Sequence, residues 1–221
     1  MRKLPPAKML LRILIYCLGL ATVSLGIVLC KKSALGISPI STVPYSLEQA
    51  LPLTFGQLTM CFHFVNTALQ LVMNKDRKNI WKLLMQVPVA FAFSVVIDWF
   101  GEIIRIDSTV LGWQIASLIL SVPVAALGLL MMVHMDLFQN PPDGTIKAIS
   151  LRSGKELGTV KNLYDCSCVV LSIIISLLLY HRIVGFGVAT VVSALGVGRC
   201  VKLFSGFGRF LDRMVFDNPK P

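Results

Sequence analysis

Ten polar side chains at helical spacing are the residues of this sequence best equipped for chemistry. Thr59, His63, Asn66, Gln70 and Asn74 follow one another at intervals of 4, 3, 4 and 4, which puts all five on one face of a helix. The other side carries Phe64, Ala68, Leu71 and Val72. A second series runs Asn162, Asp165, Cys168, Ser172 and Ser176. His63 can be neutral or protonated near neutral pH. Asp165 is a carboxylate only a few residues from the cytoplasmic end of its segment, where reaching water is the alternative. The amides and hydroxyls offer hydrogen bonds. Together they suit the binding of a small polar solute or ion. The plainer reading stays open for Asn66, Gln70 and Ser172: such groups also hydrogen-bond helix to helix, for about 0.6 kcal/mol each. Phosphate-binding Gly-rich loops ending in Lys-Ser/Thr, His-Glu-x-x-His pairs and Gly-x-Ser-x-Gly elbows are absent from the sequence. No enzyme activity, metal or cofactor is therefore expected.

The elements that carry these stripes are apolar. Of the 221 residues, 55% are hydrophobic and only 14% charged, against about a quarter charged in a soluble domain, and mean hydropathy is +0.76. Six hydrophobic segments stand out, roughly 10–30, 56–73, 83–100, 111–133, 163–180 and 184–204. Each has about the 17–25 residues a helix needs to cross the hydrocarbon, and nothing alternates as a membrane barrel strand would. The expectation is an all-α membrane protein of six transmembrane helices. A basic stretch precedes the first segment, but the apolar run is long for a signal peptide and no small-x-small site closes it, so helix 1 is expected to be retained.

Net charge is +10, and its placement is an orientation signal. Seventeen of the 21 Lys and Arg residues fall at the N-terminus, in the 74–82 and 134–162 loops and in the C-terminal region; Lys31, Lys32, Arg105 and Arg182 make up the other side. The positive-inside rule then puts both termini in the cytoplasm, and nucleic acid is not expected as a partner. The tail over 205–221 reads as a cytoplasmic amphipathic helix with Phe207, Phe210, Leu211 and Met214 on one face, or as the frayed end of helix 6. Asp98, beside the interface anchor Trp99, is expected to be solvated. The six cysteines have neither zinc spacing nor a disulfide framework.

Sliding the chain along itself by 102 residues brings Leu25-Gly26 onto Leu127-Gly128, Leu35 onto Leu137, Pro39 onto Pro141 and Gly56 onto Gly158. The same shift sets His63 on Asp165, Asn66 on Cys168, Gln70 on Ser172 and Asn74 on Ser176. A single membrane domain, 1–221, of two three-helix repeats (about 10–100 and 112–204) follows. Three is odd, so the second repeat would enter the membrane inverted, a plan common in secondary transporters. In both long connections a small polar residue precedes a proline, Ser38-Pro39 and Asn140-Pro141, which is a helix start. Asp143 follows the second. Were both short helices to re-enter the bilayer, their N-terminal N–H groups would converge and favour an anion; short interfacial helices are the alternative.

The residues Leu25-Gly26, Leu35-Gly36-Ile37-Ser38-Pro39, Thr54-Phe55-Gly56, Gly185-Phe186-Gly187 and Ser193-Ala194-Leu195-Gly196 carry a resemblance to the YczE/YitT-like integral membrane proteins of bacteria. The resemblance implies a compact multi-helix protein of the bacterial cell (inner) membrane, in a family whose biochemical role is largely unassigned. Two positions depart from its pattern: Ser41 stands where an acidic residue is expected, and Val188 where threonine is. The functional expectation is a small-solute or ion transporter that is not ATP-driven by itself. Its substrate-binding residues would be His63, Asn66, Gln70, Asp165, Ser172, Ser38, Asn140 and Asp143. The alternative is an accessory or scaffold membrane protein supporting a cytoplasmic enzyme or assembly. The lipid bilayer is the expected surrounding, and a homo-oligomer or a partner protein stays open.

Overall fold

The computed structural model describes residues 5–74 and 80–216. Arg2, Lys3, Lys75, Arg77, Lys78 and Lys220, six of the charges behind the expected orientation, lie outside the described residues, as does the end of the 205–221 tail. The described residues form helices and connecting segments with no strand. In chain order the helices are α1 (Pro6–Lys32), a 3-10 turn (Pro39–Ser41) running into α2 (Thr42–Glu48), α3 (Phe55–Met73), α4 (Ile80–Leu84), α5 (Gln86–Ile103), α6 (Leu111–Met135), α7 (Pro141–Ser153), α8 (Leu157–Tyr180), α9 (Val188–Leu203) and α10 (Ser205–Val215).

Four spans are long and apolar enough to cross a membrane: α1, α4 with α5, α6 and α8; a fifth is reached if α9 and α10, bent by 54° at their junction, count as one. The molecule is thus a multi-pass membrane protein by composition. The expected second span forms the 19-residue helix α3, but its polar stripe keeps it out of the apolar set. The expected sixth segment, 184–204, forms the shorter helix α9, which starts only at Val188 and stops at Leu203.

The largest interface joins α1 to α6, and glycine makes it. A Cβ on Gly26 would stand 2.6–2.8 Å from the backbone and Cβ of Ala125. One on Gly128 would stand 2.5 Å from the Val23 nitrogen and 2.6 Å from the Gly19 carbonyl. Helices free of Cβ atoms at the crossing bring their backbones into dispersion contact, the main source of helix adhesion in lipid. Around this pair α5 packs on α1 and α3, α9 packs on α6, α3 holds α7, and α8 holds the 3-10 turn and α2.

Arg12 ties the pair at one end. Its Nε donates to the Met135 carbonyl (2.6 Å) and its Nη2 to the Asp136 carbonyl (2.7 Å), so a cation meets the negative end of the α6 dipole. An apparent orientation charge is therefore a buried structural group, 9% exposed. Asp98 is also not simply solvated. Its carboxylate accepts from the Thr54 hydroxyl (2.5 Å) and from the Gly56 N–H (2.8 Å), which caps the start of α3 from the neighbouring α5. The C-terminal helix α10 turns back onto α6, α1 and α9. Of its expected apolar face only Leu211 is buried, joined by Val215, while Phe207, Phe210 and Met214 stay exposed. His134 clamps it through Asp212 at 2.8 Å.

The crossing is testable. Gly26→Ala or Gly128→Ala forces backbone apart and should cost about 1–3 kcal/mol, lowering the thermal midpoint in detergent. Gly101→Ala, with nothing within 4 Å of its would-be Cβ, should fall within about 0.5 kcal/mol. Equal midpoints for all three variants would contradict the crossing.

Candidate functional site

The polar stripes of α3 and α8 are where the two short helices dock. Thr145, in the second turn of α7, donates its hydroxyl to the Asn66 carbonyl of α3 at 3.1 Å. Gln70 sends its amide to the Pro141 carbonyl at the start of α7 (2.8 Å) and exchanges a pair of 3.1 Å hydrogen bonds with Gln86. The other short helix is held in the same manner. Thr42 donates to the Cys168 carbonyl of α8 (3.3 Å), and Ser172 donates to the Thr42 carbonyl (3.1 Å). Asn66, Gln70, Ser172 and Thr42 are each 3% exposed or less. Gly144 allows the α7 approach, since a Cβ there would run into the Gln70 amide.

Charge collects where α7 begins. Asp143 sits in its first turn, beside Asn140 and within electrostatic reach of Lys161 and Asp165 on α8. Lys161 and Asp165 form an ion pair one turn apart, at 3.3 Å. Tyr164 reaches from α8 to the Asn66 Oδ1 atom at 2.6 Å, closing the seam between α3 and α8. One oxygen of Asp165, Oδ1, is buried without a hydrogen-bond partner. The expected anion-binding N–H groups are largely missing here. Pro141 and Pro142 fill the first two helical positions and have no N–H to give, and Asp143 brings its own negative charge.

Of the expected site residues, the fold gathers Asn66, Asn140, Asp143 and Asp165, with Gln70 one turn along α3. It does not join His63 to Asp165: among the described residues no hydrogen bond or ion pair links them. His63 turns towards α5, is 3% exposed, and stacks on Phe93 with ring centroids 5.4 Å apart and planes at 23°. Its Nδ1 is buried with no partner. Ser38 lies in a separate group of small polar side chains, donating to Ser41 at 3.0 Å, near Cys30 and Ser193 (3.6 Å apart). Ser172 anchors α2. The residues that spacing on α3 and α8 alone missed are Thr42, Thr145, Gln86, Tyr164 and Lys161. The Lys161–Asp165 spacing of four was a legible signal; the hydroxyls of the short helices were not. Among the described residues no group of three His, Cys, Asp or Glu side chains is set to hold a metal ion.

A cavity of about 1120 Å³ reaches Gln70, Gln86 and Gly144 and is bounded by the ends of α1, α3 and α6, by α4, by α7 and by α10. A model of a family of unknown function, DUF6198, matches residues 10–206, a stretch that contains the crossing, both short helices and the whole seam. The chain belongs to that family. No curated protein and no solved structure matches the chain. Within this DUF6198 chain the conspicuous glycine motifs are packing devices. Gly36, at φ +112°, lets the 35–37 strap lie on the start of α9, with Ile37 N–H donating to the Gly185 carbonyl and Ala189 N–H to the Leu35 carbonyl, both at 3.0 Å. Gly187 sits against the Leu35 carbonyl with no room for a Cβ. Val188 points outward, 64% exposed.

The docking bonds have a measurable weight. Thr145→Val should cost about 0.6 kcal/mol, and no more than about 1.7. Gln70→Leu should cost more, about 1–3 kcal/mol, because it strands the Gln86 amide. Unfolding midpoints that leave Gln70→Leu as stable as the parent protein would contradict the docking role.

Proposed function

We infer that the chain is a small-solute or ion transporter of the bacterial cell membrane, built of six crossings in two inverted repeats with both termini cytoplasmic. The observation that carries this reading is the charged seam. Asp143, Asp165 and Lys161 are assembled between α7 and α8, beside α3, with one Asp165 oxygen buried and unpartnered. Ionisable groups among membrane helices are costly, less so towards a helix end, where Asp165 and Asp143 lie, and they mark ion and proton paths. Two carboxylates against one ammonium favour a proton or a cationic group over the anion that bare helix ends would attract.

The inverted plan is supported by helix boundaries. The 3-10 turn starts at Pro39 and α7 at Pro141, α3 at Phe55 and α8 at Leu157, α5 at Gln86 and α9 at Val188, all at the 102-residue offset. Thr145 docks on the carbonyl of Asn66 and Thr42 on that of Cys168, and those two acceptors are themselves offset partners. Such a pair of short helices, one entering from each side and meeting polar faces of long ones, is how alternating-access sites are framed. A kinship with the YczE/YitT-like proteins draws support from its motifs, which fall at close packing contacts: Gly26 at the α1–α6 crossing, Gly36 and Gly187 under the strap, Gly56 against Asp98. The substrate-binding set is then Asp143, Asp165, Asn140 and Asn66, with His63, Gln70, Ser172 and Ser38 supporting it.

The scaffold reading has one observation in its favour: the side chains of Gln70 and Ser172 are already spent on internal hydrogen bonds, and Asn66 receives Tyr164. The two readings separate in proteoliposomes. Uptake of a panel of labelled solutes under an imposed proton or sodium gradient should fall about tenfold or more in Asp165→Asn and in Asp143→Asn, a loss of at least ~1.4 kcal/mol in barrier terms. Unchanged uptake in both would sink the transporter. In the scaffold reading, replacing Lys147, Arg152 and Lys155 matters instead.

A further inference from the structure

The 1120 Å³ cavity carries charges that the seam does not use. Four cationic side chains line it, Arg12, Lys82, Lys147 and Arg152, together with the acids Asp136 and Asp212 and with His134. The acids are matched. Asp212 meets His134 at 2.8 Å, and Asp136 lies in electrostatic contact with Arg12, whose guanidinium already serves the α6 carbonyls. Among the described residues Lys82, Lys147 and Arg152 have no ion pair.

Two of these three come from one helix face. Gly144, Lys147, Ala148, Leu151 and Arg152 of α7 all line the cavity, as positions separated by three, four and one along a helix should. Lys82 faces them from α4, next to Trp81, which is 64% exposed. The rest of the wall is largely apolar, with Met73, Leu137, Phe138 and Phe216 among its residues. A cationic rim over an apolar wall, at the end of a membrane bundle, is complementary to an anion that also carries apolar or bulky structure. Basic pockets between membrane helices take phosphate headgroups in this way, and arginine favours phosphate through its planar fork of donors.

We propose that this cavity is a binding site for a phosphate group, held by Lys147, Arg152 and Lys82 and carried by an anionic lipid or by a soluble phosphate compound. The site is separate from the Asp143–Asp165 seam in its chemistry, and it stands whether or not the protein transports. Because Lys147 and Arg152 are exposed and unpaired, neutralising them leaves the fold intact.

The test is a titration of the full-length protein in neutral detergent, read as a rise in thermal midpoint. The probes are dioctanoyl phosphatidylglycerol, dioctanoyl phosphatidylcholine and inorganic pyrophosphate. Phosphatidylglycerol or pyrophosphate should give a saturable rise that weakens with added salt. The double variant Lys147→Gln/Arg152→Gln should bind about tenfold more weakly, or worse. Arg209→Gln/Arg213→Gln, which removes two exposed cations of α10 outside the cavity, should bind as the parent does. A response to phosphatidylglycerol alone identifies a lipid headgroup, and a response to pyrophosphate identifies a soluble source. No rise with either probe overturns the proposal. So does equal weakening in both double variants, or a phosphatidylcholine response as large as that to phosphatidylglycerol.

Discussion

Hydrocarbon offers no hydrogen bonds, so every polar group carried into a bilayer must find its partner in the protein. The two short proline-started helices bring several polar groups against the bundle: first-turn carbonyls, hydroxyls and, in α7, a carboxylate. The polar stripes of α3 and α8 answer that demand. Gln70 meets the Pro141 carbonyl, Ser172 meets that of Thr42, and Thr145 and Thr42 return hydroxyls to the carbonyls of Asn66 and Cys168. Each bond is individually modest, but an unmade one would cost several times more. The composition of α3, too polar to be counted among the apolar spans, follows from the work it does inside the bundle.

Room for these helices is made by glycine elsewhere. The α1–α6 crossing at Gly19, Gly26 and Gly128 and the strap contact at Gly36 and Gly187 draw backbones together, and the long helices then stand as a frame around the short ones. Where packing is densest, the residues are small and neutral. Where α7 begins, charge is admitted: Asp143, Lys161 and Asp165 share one region, and the Asp165 Oδ1 atom is left without a partner. The proposed transport role rests on that arrangement.

Much of the frame was legible from the residues. Ser38-Pro39 and Asn140-Pro141 mark helix starts because proline suits the first turn, and both helices begin there. The spacing of Thr59, His63, Asn66 and Gln70 gave a buried face, and all four are buried. The boundary at Phe204 was legible too: the sixth apolar segment ends at 204 and an amphipathic tail follows, as α9 and α10 do. The 102-residue shift sets His63 on Asp165, but the fold does not bring the two together. Residues matched by a repeat are equivalent positions, and equivalence does not make them neighbours; His63 found Phe93 instead. At the start of α7 the prolines of the first two positions remove donors that an anion would need. Asp98 was readable as an interface residue but not as a cap, because its partner Gly56 is 42 residues away.

The central claim is that the two short helices approach the seam from opposite sides of the membrane. The most direct test places single cysteines at Ala50, just past α2, and at Lys155, just past α7, both exposed, in a background with the six native cysteines replaced. Intact cells are then treated with a membrane-impermeant maleimide. The inverted arrangement predicts labelling at position 50 without permeabilisation and at position 155 only after it. Labelling of both positions from the same side would contradict the account.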